Sequence, residues 1–391
     1  MPAAQATAAQ TDIKPLFCLK ITTQSQKLNR FRAILQSAPT GHAPDHNLSA
    51  RTRTMLSYPI DQLPDAGHTL EIAPGVRWVR MKLPFALDHI NLWLLDDGDA
   101  LTVIDCGYGQ DDTRAAWTAI FAADPRPVRR VIVTHHHPDH LGLATWLAAR
   151  DGATIHMTQG EFLAAHAIWH QLPGYCVPDM VAQFRRHGLD AARLEALGAR
   201  GNAYRRGVPE LPGTFSRLFA GSELQIGRHN WRVIVGHGHA PEHASLHCAE
   251  LGILISGDML LPRISTNISV YAATPDDDPL GWFIDSLRAL CTLPEYTLVL
   301  PSHGKPFKGI RVRVDQLIEH HRERCGALLN ACSTPSSAGD LLGTLFPREL
   351  DTHQVMFAMG EAIAHLNHLE RQGALSREVD ASGLVRFTTC R

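Results

Sequence analysis

The nine residues Thr134 to Gly142, THHHPDHLG, place four histidines and an aspartate directly behind the apolar run Val128 to Val133. In extended backbone, alternate side chains point the same way. His135 and His137 therefore present two imidazoles to one point, while His136 faces elsewhere. Pro138 then opens a helical turn that swings Asp139 and His140 toward a neighbouring point, offering one oxygen and one nitrogen donor. A strand ending in half a metal site constrains the whole chain, because the fold must bring the missing donors to that strand end.

Three later segments offer them in the same setting. VIVGHGHAPEH, residues 233–243, ends a β-run in a glycine-flanked turn carrying His239; LISGDML, 254–260, places Asp258 at a strand end; LVLPSHGKPF, 298–307, does the same for His303. Strand ends gathered along one edge of an αβ structure are where sites form. The expected division is His135, His137 and His239 on one ion and Asp139, His140 and His303 on the other, with Asp258 and a water or hydroxide between them. Two cations about 3.5 to 4 Å apart acidify a shared water and polarise the bond under attack. The competing reading, a solvated histidine-rich loop, leaves the carboxylates and the three later segments unexplained. Zinc, iron and manganese all suit these donors, zinc first.

Asp139, Asp258 and His243 are the candidate catalytic residues. His243, four residues after His239, fits either a proton-shuttling or ligand-supporting role or a turn-stabilising one. LPRISTNISV, 261–270, follows Asp258 closely enough to make Arg263 and Asn267 candidates for contact with an anionic substrate. Arg185, Arg186, Arg205 and Arg206 fit a solvated surface, with a carboxylate or phosphate contact as the alternative.

Short β-rich runs over 76–81, 91–95, 101–104 and 128–133 flank an amphipathic helix over 112–122, predicting a layered αβ unit. The order repeats with β-runs at 231–235, 246–248, 253–255 and 297–300 and a helix over 279–293. Between the halves, about 160–213 turns helical and reads as an insertion: a lid over the site or packing bulk. A long helix over 312–331 is followed by the pattern-breaking Thr334-Pro335-Ser336-Ser337. The rest, 334–391, predicts helices ending in a hairpin around Asp380-Ala381-Ser382-Gly383, a winged-helix order. Residues 1–55 lack sustained periodicity and read as a disordered arm, with a transit peptide or an over-extended start as alternatives. The catalytic unit is then 56–333.

The ordered motifs H-x-H-x-D-H, G-H-x-P-x-H, S-G-D and P-S-H-G resemble those of the metallo-β-lactamase superfamily over about residues 70–310. The resemblance implies an α+β fold, the αββα sandwich of two similar halves, with a dinuclear site at one edge. VIDCGYG, 103–109, is similar to the family's first motif, which implies that Asp105 orients the ligands from behind. Zinc β-lactamases carry cysteine where this chain has Asp258. Aspartate there resembles the glyoxalase II and ribonuclease Z branches, and the C-terminal pattern resembles the winged-helix tail of some of these hydrolases. The last 58 residues are too few for the flavodoxin-like module of a flavodiiron reductase.

Composition narrows the partners. With 37 basic and 39 acidic residues the chain has no broad positive field for nucleic acid or an anionic membrane. Residues 334–391 carry five arginines and no lysine against seven acids, so a DNA-binding tail is disfavoured and packing beside the site or a homodimer contact is expected instead. The eight cysteines show no C-x-x-C pair, and no apolar stretch reaches the roughly 18 residues of a bilayer span, so a cytoplasmic protein acting on a small molecule is expected. Hydrolysis of an ester or thioester, hydroxyacylglutathione-like, leads the functional readings. A metal-dependent phosphodiesterase or ribonuclease, or a winged-helix regulator that senses a ligand without hydrolysis, stands behind it.

Overall fold

A computed structural model describes residues 55–390, which fall in one compact unit. The arm expected over residues 1–55 lies outside the described residues except for Met55.

Seven strands pair in chain order: β1 (Leu70–Ala73), β2 (Val76–Lys82), β3 (His89–Asp97), β4 (Ala100–Ile104), β5 (Val128–Ile132), β6 (Thr154–Met157) and β7 (Ser216–Arg217). They are antiparallel up to β4 and parallel from β4 to β7. The switch follows the connection. A tight turn at Gly98 joins β3 to β4, whereas α1 (Asp111–Ala123) carries the chain back between β4 and β5. The second sheet runs β12 (Leu298–Pro301), β11 (Ile253–Gly257), β10 (His243–Cys248), β9 (His229–Gly236), β8 (Glu223–Ile226).

Period-two alternation explains the layering. Along β3, Ile90, Leu92 and Leu94 join Trp117, Ile120, Phe121 and Leu147 under α1 and α3 (Ala144–Asp151). Trp93 and Leu95 turn the other way and meet Trp78, Trp231, Val233, Leu246, Ile255 and Leu300 between the sheets. A strand buried on both faces reads as a continuous apolar run, which is what the sequence has there. Helix α8 (Pro279–Leu290) packs on β9, and α9 (Ile310–Ala331) packs on α8. The result is an αββα sandwich, and every expected strand and helix of the two halves is present. β1, β6, β8 and α3 were not anticipated; each is short, and their partners rather than their own sequences define them.

The insertion holds α4 (Gln159–Trp169), α5 (Val177–Arg186), α6 (Ala191–Arg200) and α7 (Tyr204–Gly207), with α2 (Pro138–Leu141) preceding it in the metal turn. At the C-terminal end come α10 (Leu342–Leu345), α11 (Thr352–Arg371) and the hairpin β13 (Leu375–Val379) with β14 (Val385–Thr389). Thr334–Ser337 is tied down: Ser336 pairs with Phe387 on the other edge of β14, and the nearby Gly339 N–H donates to the His187 carbonyl. Helix α11 begins at a capping box made by Asp351 and Gln354 and packs against α6, α8 and α9. Asn367 donates to the carbonyls of Pro275 and Asp277, which stitches α11 to the loop before α8.

Under α11 lie two buried imidazoles in tandem. His365 Nδ1 donates to the Glu361 carbonyl at 2.8 Å, so its Nε2 is the acceptor for His321 Nδ1 at 3.1 Å. Burial lowers His321 to about 2, His365 to about 3, and His187, stacked on Phe387, to about 4. These groups are neutral when folded and take up protons when unfolded, so the unfolded state binds more protons as pH falls below about 6.5. Stability is therefore expected to drop with pH in that window, by at most about 1.4 kcal/mol per histidine per pH unit. Urea unfolding between pH 7 and 5 checks this, with His321→Leu expected to show a shallower acid slope. An identical slope in that variant contradicts the assignment.

Candidate metal centre

Every sequence-proposed ligand lies at one end of the sandwich. His135 follows β5, and His137 caps α2 with Pro138 at its first position, which turns Asp139 and His140 inward. His239 comes from the β9–β10 turn, Asp258 from the end of β11 and His303 from the end of β12. The turn before His239 needs Gly238: its φ is +101°, and a Cβ would meet the Pro279 carbonyl and Phe283 within 2.6 Å.

The donor atoms fall into two groups, each within 4.8 Å: His135, His137, His239 and Asp258 in one, and Asp139, His140 and His303 in the other. His135 Nε2 lies 2.9 Å from His137 Nδ1 and 3.2 Å from His239 Nε2. Asp258 faces both groups, with Oδ2 3.5 Å from His239 Nε2 and Oδ1 3.6 and 3.5 Å from His140 and His303 Nε2. Asp139 Oδ2 stands 3.4 Å from His303 Nε2 and 3.7 Å from His140 Nε2. Donors about 2.1 Å from one tetrahedral ion stand about 3.4 Å apart, so the spacings around Asp258 and Asp139 suit shared coordination better than hydrogen bonding. His140 Nε2 and Asp258 Oδ1 are also buried with no hydrogen-bond partner, an orphaned state that a cation resolves.

The far nitrogens are held by the protein. His140 Nδ1 donates to Asp105 Oδ2 at 2.8 Å, His239 Nδ1 to the Asn267 carbonyl at 2.7 Å, His303 Nδ1 to the His89 carbonyl at 2.8 Å, and His135 Nδ1 meets Thr134 Oγ1 at 3.1 Å. These bonds leave each Nε2 free to face the centre. Asp105 also accepts from the Thr134 N–H and hydroxyl, both at 2.8 Å, from a left-handed backbone with φ +59°.

Burial, reinforced by neighbouring imidazoles, holds His135 and His137 well below the usual histidine range, so both are neutral donors. Burial also lowers His140 and His303, but carboxylates outweigh it and raise both: Asp105, Asp139 and Asp258 act on His140, and Asp258 and Asp139 on His303. Conversely, burial works against ionised Asp258, yet His303 and His140 keep its carboxyl well below the usual range.

The other candidates are placed differently. His243, fully buried and lowered to about 3 by burial, accepts the Asp258 backbone N–H at 3.1 Å. Asn267 meets the centre through its carbonyl, and its side-chain amide is spent on Ser269. Arg263 is exposed and lies over the Tyr58 ring, 5.9 Å from its centroid. Arg205 stacks on Trp169 at 3.9 Å.

Sequence reasoning missed Glu161, Asn91 and His89. Glu161, on α4 and fully buried, accepts from His136 Nδ1 at 2.6 Å, the His136 N–H at 2.9 Å and the Glu242 N–H at 2.6 Å. Burial opposes its ionisation, but the His136 imidazole and these N–H donors hold its carboxyl below the usual range. It joins the turn carrying His135 and His137 to the one carrying His239. Asn91 donates to the carbonyls of Pro301 and Gly304, and His89 Nε2 accepts the Gly304 N–H, so β3 clamps the His303 turn from both sides.

A sequence model of the family described as "Metallo-beta-lactamase superfamily" matches residues 86–303, more than half the chain. The chain belongs to the metallo-β-lactamase superfamily. A second family of this group, "Metallo-beta-lactamase-like, C-terminal domain", matches residues 325–390. Among solved structures, a beta-lactamase domain protein from Burkholderia ambifaria is 45% identical, with TM-score 0.80, covering 86% of this chain and 98% of that one. A metallo-beta-lactamase family protein from Thermus thermophilus is 28% identical, with TM-score 0.69, covering 82% and 100%. The probable metallo-hydrolase YqjP of Bacillus subtilis is 26% identical over 76% of this chain and 93% of its own length. A hydroxyacylglutathione hydrolase from Acidiphilium cryptum is 26% identical over 59% of this chain and 70% of its own. This superfamily member is a metal-dependent hydrolase, and its His/Asp cluster fits a dinuclear site. Among the described residues no helix is long and apolar enough to cross a membrane.

Proposed function

We propose that the bond this hydrolase cleaves is an ester or thioester, of hydroxyacylglutathione-like chemistry. Asp258, an oxygen donor turned toward both ligand groups where a zinc β-lactamase has cysteine, sets the chain apart from antibiotic hydrolysis, and the observation that favours this class over a phosphodiester is the balanced charge, 37 basic against 39 acidic residues. The hydroxyacylglutathione hydrolase relative supports the same substrate class. His135, His137 and His239 would hold one divalent ion and Asp139, His140 and His303 the other, with Asp258 common to both and zinc the first candidate. Such a pair supplies an acidified water and a polarised carbonyl.

The protein's own contribution is positioning. Asp105, Thr134 and the carbonyls of Asn267 and His89 fix the ring orientations, and His243 fixes the Asp258 turn through its backbone N–H. Glu161 of α4 and Tyr204 of α7 bond to the turn carrying His136, which supports a lid role for the insertion over the bulk-packing alternative. In this reading residues 56–333 form the catalytic domain and 334–391 a winged-helix-like module. Its acid excess supports packing beside the site over nucleic-acid binding.

Metal analysis followed by a panel of esters, thioesters, lactones, phosphodiesters and RNA tests the proposal. Two equivalents of metal and preferential thioester or ester turnover are expected. A preference for phosphodiesters or RNA, or metal-loaded protein inert on the whole panel, overturns it.

A further inference from the structure

Beside the metal turn stand two arginines that form no ion pair among the described residues. Helix α7 sits directly on the metal turn: the Tyr204 hydroxyl donates to the His136 carbonyl, Gly207 O accepts the Gly109 N–H at 2.8 Å, and a Cβ at Gly207 would strike the Tyr108 ring and Pro138. That seating fixes where the neighbouring side chains emerge. Arg205 leaves to cover Trp169, while Arg206 and Arg200 both act electrostatically on the Tyr108 hydroxyl, as does Asp139 of the second ligand group.

Neither Arg200 nor Arg206 has an acid within 4 Å among the described residues, whereas Arg77, Arg126, Arg129 and Arg130 each have at least one. Arg200 bonds only to uncharged groups, His353 Nδ1 and Met356 Sδ of α11. The acid whose charge reaches it is Asp351, already committed to capping α11 through the Gln354 N–H at 2.8 Å. Burial, and after it the neighbouring Arg206 guanidinium, lower Arg200 below its usual value. Two cations whose charges both reach one half-buried tyrosine hydroxyl favour an anion between them. An apolar wall stands next to them: Phe85, 39% exposed, meets the Tyr108 ring edge-on at 5.3 Å and stacks on His353 at 5.4 Å, and His353 in turn meets Phe357 at 4.8 Å.

We infer that Arg200 and Arg206, with the Tyr108 hydroxyl, form a subsite for an anionic oxygen group of the substrate, a carboxylate or a phosphate, remote from the bond that is cleaved. The two arginines belong to the insertion and His353 to α11, while Tyr108 and Phe85 come from loops of the sandwich, so substrate selection rests in part on segments added to the sandwich. This rests on the ester or thioester reading above and narrows it to substrates with a charged end beside a short apolar stretch that Phe85 and His353 cover.

The test compares matched thioesters that differ only in a terminal amide, carboxylate or phosphomonoester, using the metal-loaded full chain. Wild type is expected to prefer one anionic member over the amide by about tenfold or more in kcat/KM, the scale of charge-assisted contacts. The member preferred tells carboxylate from phosphate. In the Arg200→Gln, Arg206→Gln double variant that ratio is expected to collapse toward unity, chiefly through KM, and Arg200→Lys with Arg206→Lys should restore part of it. An undiminished ratio in the glutamine variant, or no anionic preference in wild type, overturns the inference. Calorimetric titration of the metal-free full chain with inorganic phosphate and with succinate keeps the two proposals apart. If no thioester is turned over, the substrate reading fails, while binding of either anion in wild type and its loss in the double variant still upholds the subsite. Absence of both anions' binding in wild type sinks it.

Discussion

Asp258→Ala is expected to leave a folded protein that binds fewer than two equivalents of metal and turns over its substrate about a hundred- to a thousandfold more slowly. The rate estimate is the usual scale for deleting one preorganised electrostatic group. The reason is geometric. Asp258 is the one side chain with an oxygen toward each donor group, and its charge raises the affinity of His140 and His303 for positive charge. Removing it leaves five imidazoles with Asp139 as the remaining carboxylate ligand and Asp105 behind His140. Its backbone N–H still bonds to His243, so the turn has reason to persist. Metal analysis and steady-state rates on the purified variant decide the matter: two retained equivalents with full turnover would mean the ligand assignment is wrong.

Glu161→Ala should be the most destabilising single change near the centre that touches no ligand. Two buried donors, the His136 N–H and Nδ1, and the part-buried Glu242 N–H lose their acceptor together. Each unsatisfied group costs about 1 to 3 kcal/mol, so a loss of about 3 kcal/mol or more is expected in urea unfolding. Glu161→Gln keeps an oxygen for one backbone donor but loses the charge facing His136, and should weaken metal binding by about ten- to a hundredfold in competition with a chromophoric chelator. Unchanged affinity in the glutamine variant together with unchanged stability in the alanine variant would show that the two turns hold their places without it.

The sandwich was legible because its strands are long and apolar and its motifs sit just past their ends. β5 followed by THHHPDHLG announces both a strand end and a ligand turn, and the segments ending at Asp258 and His303 repeat the pattern. Residues that support those ligands were harder to read. Asn91 left a faint trace, a polar residue within the apolar run of β3, which marks a buried amide with partners to satisfy. Glu161 left none, since an acid in the first turn of a helix is ordinary and its partners lie 25 and 81 residues away. Arg206 was legible only as an alternative, a carboxylate or phosphate contact behind a solvated surface, and Arg200 not at all: the docking of α7 on Pro138 and Tyr108 and the bonds of Arg200 to His353 and Met356 are what set them apart. Short strands such as β1, β6 and β8 escaped because pairing, not their own composition, defines them.

The outward bonds of the ligand histidines carry a consequence for how the cofactor is acquired. Asp105, Thr134 and two main-chain carbonyls already determine where the imidazoles sit, so the ordering entropy is borne by chain folding rather than by ion capture. Loading then takes place on a finished scaffold, and which cation occupies it is decided by donor hardness and by what the cell supplies.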